Sequence, residues 1–169
     1  MVCFSYLNEG DWLGYTYYTA EAVLTLTRTD GTQVNLIAEV DSGAAITLLP
    51  RSVANLLGVE WSSGQPIALG GVGGQTFTAY VHMIEAYIGE TYVPELPIAI
   101  APTEDFPPLL GRLGLYDVAN VAMNNDSASV CVGEITTPMT ISAISNTSIV
   151  AVLAVLGVIA VVMLTGESK

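Results

Sequence analysis

The chain has 169 residues, 51% of them hydrophobic and only 12% charged, with a formal net charge of −12. Glu167 and Lys169 cancel, so residues 1–134 hold that entire charge, with Arg28, Arg51 and Arg112 as their only basic side chains apart from His82. A domain this acidic is repelled by phosphate backbones and by anionic headgroups, which excludes nucleic acid as an expected partner and a basic patch as a membrane anchor.

The N-terminus, Met1-Val2-Cys3-Phe4-Ser5-Tyr6, has no basic start, and Asn8, Glu9 and Asp11 interrupt any apolar run, so no export signal is expected there. Tyr6, Tyr15, Tyr17 and Tyr18 are expected to pack against the folded body rather than against lipid headgroups. Thr19 to Arg28 alternates as a strand, with Ala22, Leu24 and Leu26 on one face, and Asp30-Gly31 turns it into a second strand over Gln33 to Val40. Thr47-Leu48-Leu49-Pro50 reads as a short strand, and Pro50 opens a helix over Arg51 to Leu57 that Gly58 closes. Ile67 to Thr76 reads as a Gly-rich hairpin, followed by strands over Phe77 to Ile88 and Thr91 to Ile100. Leu109-Leu110-Gly111-Arg112 is a buried apolar step, Leu113 to Ala119 a short helix, and Val121 to Val132 a closing hairpin. This order predicts a mostly-β domain over residues 1–135, a compact barrel with one or two short helices.

Beyond it lie a Ser/Thr-rich linker (136–147), an expected transmembrane helix (148–166) and a short tail (167–169). Ile149 to Leu164 is apolar or Gly throughout, and sixteen helical residues rise about 24 Å, close to one hydrocarbon core with its flanks. A single late apolar segment predicts a single-pass C-terminal anchor in membrane lipid with the domain on the cytoplasmic side, although Lys169 favours the opposite orientation. Cys3 and Cys131 fit reduced thiols in a cytosol or one disulfide outside it, and the sequence leaves both open. One histidine, His82, and two cysteines leave almost no material for a zinc site or for a Ser-His or Cys-His catalytic group; neither metal nor cofactor is expected.

The chemistry-bearing residue is Asp41, delivered by an apolar strand onto the turn Asp41-Ser42-Gly43-Ala44. Alone, Asp-Ser-Gly is among the commonest loop tripeptides. The Gly70-Gly71-Val72-Gly73-Gly74 run has no following lysine or helix, so it fits a hairpin tip that closes over an extended peptide better than a phosphate loop. Two carboxylates about 3 Å apart can activate water and protonate a departing amine, because repulsion keeps one protonated while the other is ionised. The sequence has only one Asp-Ser-Gly, so a second carboxylate has to come from Asp41 of another copy across a two-fold axis.

The succession Val40-Asp41-Ser42-Gly43-Ala44, Thr47-Leu48-Leu49-Pro50, Leu69-Gly70-Gly71-Val72-Gly73-Gly74, Leu109-Leu110-Gly111-Arg112 and Val130-Cys131-Val132 resembles retropepsin-like aspartic proteases. The resemblance spans roughly residues 15 to 134. It implies a closed acid-protease barrel and a homodimeric endopeptidase acting on peptide or protein substrates. In that reading Asp41 is catalytic, Ser42, Gly43 and Ala44 shape its loop, residues 70–74 form the flap, and Leu110, Gly111 and Arg112 support the site. Two positions depart from the family pattern. Glu39 stands where an uncharged residue is usual, and Ala45 stands where members often place an acid that pairs with the arginine. Arg112 therefore needs another partner: a backbone carbonyl, an acid of a second subunit, or substrate. The competing reading is a non-catalytic barrel of the same fold that displays a binding surface at a membrane.

Overall fold

The computed structural model describes residues 1–70, 74 and 76–134. The tip of the expected flap (Gly71, Val72, Gly73), the linker, the expected membrane span and the tail lie outside the described residues. Among the described residues no helix is long and apolar enough to cross a membrane.

The strands are β1 (Val2–Ser5), β2 (Leu7–Trp12), β3 (Tyr15–Thr19), β4 (Glu21–Thr27), β5 (Gln33–Val40), β6 (Thr47–Leu49), β7 (Gln65–Gly70), β8 (Thr76–Ile88), β9 (Thr91–Ile100), β10 (Leu109–Leu110), β11 (Ala119–Asn124) and β12 (Ser129–Glu134). One α-helix, α1 (Ser52–Leu57), and a 3₁₀ turn at Trp61–Ser63 complete the list. Seven strands form a sheet ordered β4-β5-β10-β6-β9-β8-β7, and pairing of β4 with β8 closes it into a barrel. The period of two on β4 puts Ala22, Leu24 and Leu26 in the core, where they meet Ile88, Leu96, Ile98 and Leu110, all fully buried. The Asp30 carboxylate accepts from the Thr32 N–H and hydroxyl, at 2.9 and 2.6 Å, and so fixes the β4–β5 turn and its register.

Helix α1 packs Val53, Ala54 and Leu57 inward and ends at Gly58, whose φ of 74° lets its N–H return to the last carbonyls. Its start is held from outside the helix. Ser52 donates both its N–H and its hydroxyl to the Glu104 carboxylate, at 2.7 and 2.8 Å. A second, three-stranded sheet, β1-β12-β11, joins the two ends of the domain. There Cys3 faces Cys131 directly across the antiparallel pair, and the two form a disulfide.

Two expectations are corrected. Leu113 to Ala119 is a succession of turns rather than a helix, since Gly114 sits at φ 83° and gives its N–H to the Asp117 carboxylate. Tyr15, Tyr17 and Tyr18 do not pack inward. They lie exposed on a two-stranded ribbon of β2 and β3, whose tip residues Leu13 and Gly14 both have positive φ, while Tyr6 alone of the four packs against the core.

Candidate active site

Asp41 stands at the end of β5, the strand that runs parallel to β10 with Leu109 beside Glu39 and Leu110 beside Val40. This pairing continues past the strand ends as a set of straps. Asp41 gives its N–H to the Leu110 carbonyl at 3.1 Å, Arg112 gives its N–H to Ala44 at 3.1 Å, and Leu113 gives its N–H to Ala45 at 2.9 Å. The Gly111 N–H reaches the buried Thr47 hydroxyl at 3.2 Å. The two segments predicted from separate motifs, 41–44 and 110–112, are thus one structure.

Gly111 is where they cross. A Cβ on it would lie 2.3 Å from the Ile46 carbonyl carbon and 2.8 Å from the Thr47 nitrogen, so only glycine allows the chains to approach this closely. Within the turn, the Gly43 N–H donates to Asp41 Oδ1 at 2.8 Å, which fixes the carboxylate on its own loop. Asp41 is half-buried, and it opens into a cavity of about 290 Å³ lined by Tyr17, Tyr18, Thr19, Ala20, Glu39, Val40 and Asp41. Among the described residues Arg112 pairs with no acid. Its Nη1 donates to the Ser42 carbonyl, the first of the three partners left open by the sequence, and this ties the outer side of the Asp41 turn to the crossing. Ser42 itself is exposed and Ala44 half-buried.

Glu39, between the core residues Ala38 and Val40 and so on the opposite face of β5, is half-buried and shares the cavity with Asp41. Burial pushes its carboxyl above the usual 4.5, and the negative charges of Asp41, Glu21 and Glu9 push it the same way. Gly70 ends β7 opposite Thr76, and Gly74 is exposed with a φ of 77°. The β7–β8 hairpin expected of a flap is therefore present up to its tip. His82 lies in β8 with its Nε2 against the Trp61 carbonyl at 3.0 Å and does not line the Asp41 cavity. Among the described residues no group of three or more His, Cys, Asp or Glu side chains is arranged to hold a metal ion.

Residues 27–115 match the family model described as gag-polyprotein putative aspartyl protease, more than half of the chain and the whole stretch from β5 through the Gly111 crossing. The chain belongs to this aspartyl protease family. Solved structures similar to this retropepsin-like domain include the EIAV protease complexed with the inhibitor HBY-793, at 20% identity over 59% of this chain and 86% of that one, with a TM-score of 0.45. Another is a retropepsin-like aspartic protease from Rickettsia conorii, at 16% identity over 69% of this chain and 96% of that one, with a TM-score of 0.49. No curated protein matches the chain.

The roles of Thr47, Tyr17 and Tyr18 were not legible in the aspartyl protease sequence. Thr47 looks like any strand threonine until the crossing brings it under Gly111. The tyrosines reach the site only through a hairpin whose Leu13-Gly14 turn lacks the usual Asn-Gly signature.

Proposed function

We propose that the chain is an aspartic endopeptidase in which the Asp41 carboxylates of two copies hold and activate one water between them. The observation that carries this reading is the Asp41 loop itself. Backbone straps to Leu110, Ala44 and Ala45 and the Gly43 N–H hold one carboxylate in place at an open cavity, and among the described residues no histidine or lysine lines that cavity to act as a partner base. A lone carboxylate supplies a base or an acid but not both at once. A symmetric pair supplies both, since mutual repulsion leaves one proton shared between them. In the hydrolytic step the ionised member takes a proton from water as oxygen attacks the carbonyl carbon, and the protonated member gives its proton to the departing nitrogen. The β7–β8 hairpin lies on the same barrel and offers backbone groups to an extended peptide, as an added strand would.

An idle Arg112 would have favoured the non-catalytic alternative, but its side chain is engaged by the Ser42 carbonyl. Asp41→Asn tests the enzymatic reading. Cleavage of a peptide library should fall by roughly 10²–10⁴-fold or more, with the circular dichroism spectrum and the dimer mass unchanged. Cleavage retained by the variant, or a wild-type chain that stays monomeric while cutting, defeats the paired-carboxylate mechanism.

Membrane anchoring through residues 148–166 belongs to the same proposal and rests on the apolar run alone. The Cys3–Cys131 disulfide shifts the expected side. Such bonds persist in oxidising compartments and are reduced in a cytosol, so together with Lys169 it supports a domain facing away from the cytoplasm. Blocking free thiols in intact cells before reduction should leave both cysteines unlabelled, and labelling of Cys3 in unreduced protein argues for the cytoplasmic side.

A further inference from the structure

The cavity beside Asp41 has a composition that the hydrolytic step does not require. It is lined by residues 17–20, from the end of β3 into its connection with β4, and by Glu39, Val40 and Asp41, so Glu39 stands beside Asp41 in the same space. Glu39 stands directly opposite Glu21 in the β4–β5 ladder, a like-charge cross-strand pair, and Glu9 of β2 lies close enough to act on it as well. No cation of the described residues offsets this charge. Arg28 pairs with Asp30 at 3.5 Å, Arg51 lies 4.9 Å over the Trp61 ring, and Arg112 is bonded to Ser42. Every charge that acts appreciably on Glu39 is negative. Carboxylates partly withdrawn from water and left uncompensated cost stability, and a cation brought beside them relieves that cost.

We propose that this cavity is a substrate subsite next to the scissile bond and that it selects a lysine or arginine side chain, with the half-buried Glu39 as counter-charge. The inference rests on the reading of Asp41 as the catalytic carboxylate. At about 290 Å³ the space lies at the low end of ligand pockets and suits one long side chain. A lysine or arginine carries its charge at the end of a long apolar stem, so the stem can lie along the cavity while the head reaches the carboxylate. Glu39 and Asp41 open into the same cavity, so a side chain held by Glu39 keeps its backbone close to the reacting carboxylate. A neutral or acidic side chain in the same place leaves Glu39 unpaired or meets repulsion.

The test uses the full chain in detergent with peptide pairs identical except for lysine against norleucine, or arginine against citrulline, on either side of the scissile bond. The basic member should be favoured about tenfold in kcat/KM, a size that one charged hydrogen bond supplies. Glu39→Gln should bring that ratio close to one, mainly through KM, and Glu39→Lys should turn the preference toward a glutamate-bearing peptide. A wild-type ratio of one or less, or a ratio that Glu39→Gln leaves unchanged, overturns the subsite while leaving the peptidase reading intact. Binding of the same fluorescent peptides to the Asp41→Asn chain separates the opposite failure. If nothing is cleaved but lysine peptide binds about tenfold more tightly than norleucine peptide, and Glu39→Gln abolishes the difference, the subsite stands and the peptidase reading falls. Charge-blind binding there, or none, overturns the subsite.

Discussion

The two flanks of Asp41 are built on opposite terms. On one side, the crossing of 41–45 with 109–113 leaves few backbone groups idle: Asp41, Arg112 and Leu113 each donate across it, Gly111 bonds the Thr47 hydroxyl, and the Arg112 side chain closes the outside. On the other side, the cavity bordered by the end of β3 is open and acidic, and its charges oppose one another. The first flank fixes where the carboxylate is. The second determines what can approach it, and does so at some cost to the fold. Positioning and recognition are thereby assigned to different strands, so they can be disturbed separately.

The strongest way to break the contrast is at the crossing. Gly111→Ala puts a methyl group 2.3 Å from a backbone carbon that cannot rotate away, so the two segments have to separate. The loss should be about 3 kcal/mol or more, at or beyond the upper end of ordinary overpacking because the clash is with backbone. A thermal melt checks it: the transition temperature should fall by many degrees, and cleavage should fall with it as the strap at Asp41 loosens. An unchanged melting temperature would mean that the two segments do not cross as closely as described.

That crossing was legible as two motifs but not as one object. The turn 41–44 and the step 110–112 each follow from residue types, yet their joining depends on a parallel pairing of β5 with β10 across about seventy residues, which no local pattern encodes. The barrel strands were easier. In β4 the period of two is unbroken, Asp30-Gly31 is a strong turn signal, and Gly58 ends α1 as its position implies. Leu113 to Ala119 failed as a helix because Gly114 adopts a left-handed conformation within it, and a hydrogen-bonded right-handed helix does not continue through such a residue. The β2–β3 ribbon failed for another reason. Its aromatics lie on both faces and stay largely exposed among the described residues, so hydrophobicity there reports neither an inside nor an outside. The Cys3–Cys131 bond depends on the register of β1 against β12, which spacing alone does not fix.

The smaller, more discriminating effect lies on the acidic flank. Burial first, and then Asp41, Glu21 and Glu9, hold the Glu39 carboxyl above its ordinary 4.5, so the folded chain binds that proton more tightly than the unfolded one. Glu39 therefore contributes against the fold once it ionises: stability is higher below about pH 4.5 and declines as pH rises through the raised value. Glu39→Gln removes the charge without changing the shape. It should raise the melting temperature at neutral pH by an amount worth under about 1 kcal/mol, because the side chain is only half-buried and solvent screens it. The gain should shrink toward zero in acid, where Glu39 is protonated in both states. A gain of equal size at both ends would trace to packing, and no gain at neutral pH would mean that the neighbouring acids are already screened. A cation seated against Glu39 opposes the same repulsion. In an Asp41→Asn background, a lysine peptide should therefore narrow the neutral-pH gap between the Glu39-bearing chain and its Glu39→Gln variant, while norleucine peptide should leave it unchanged.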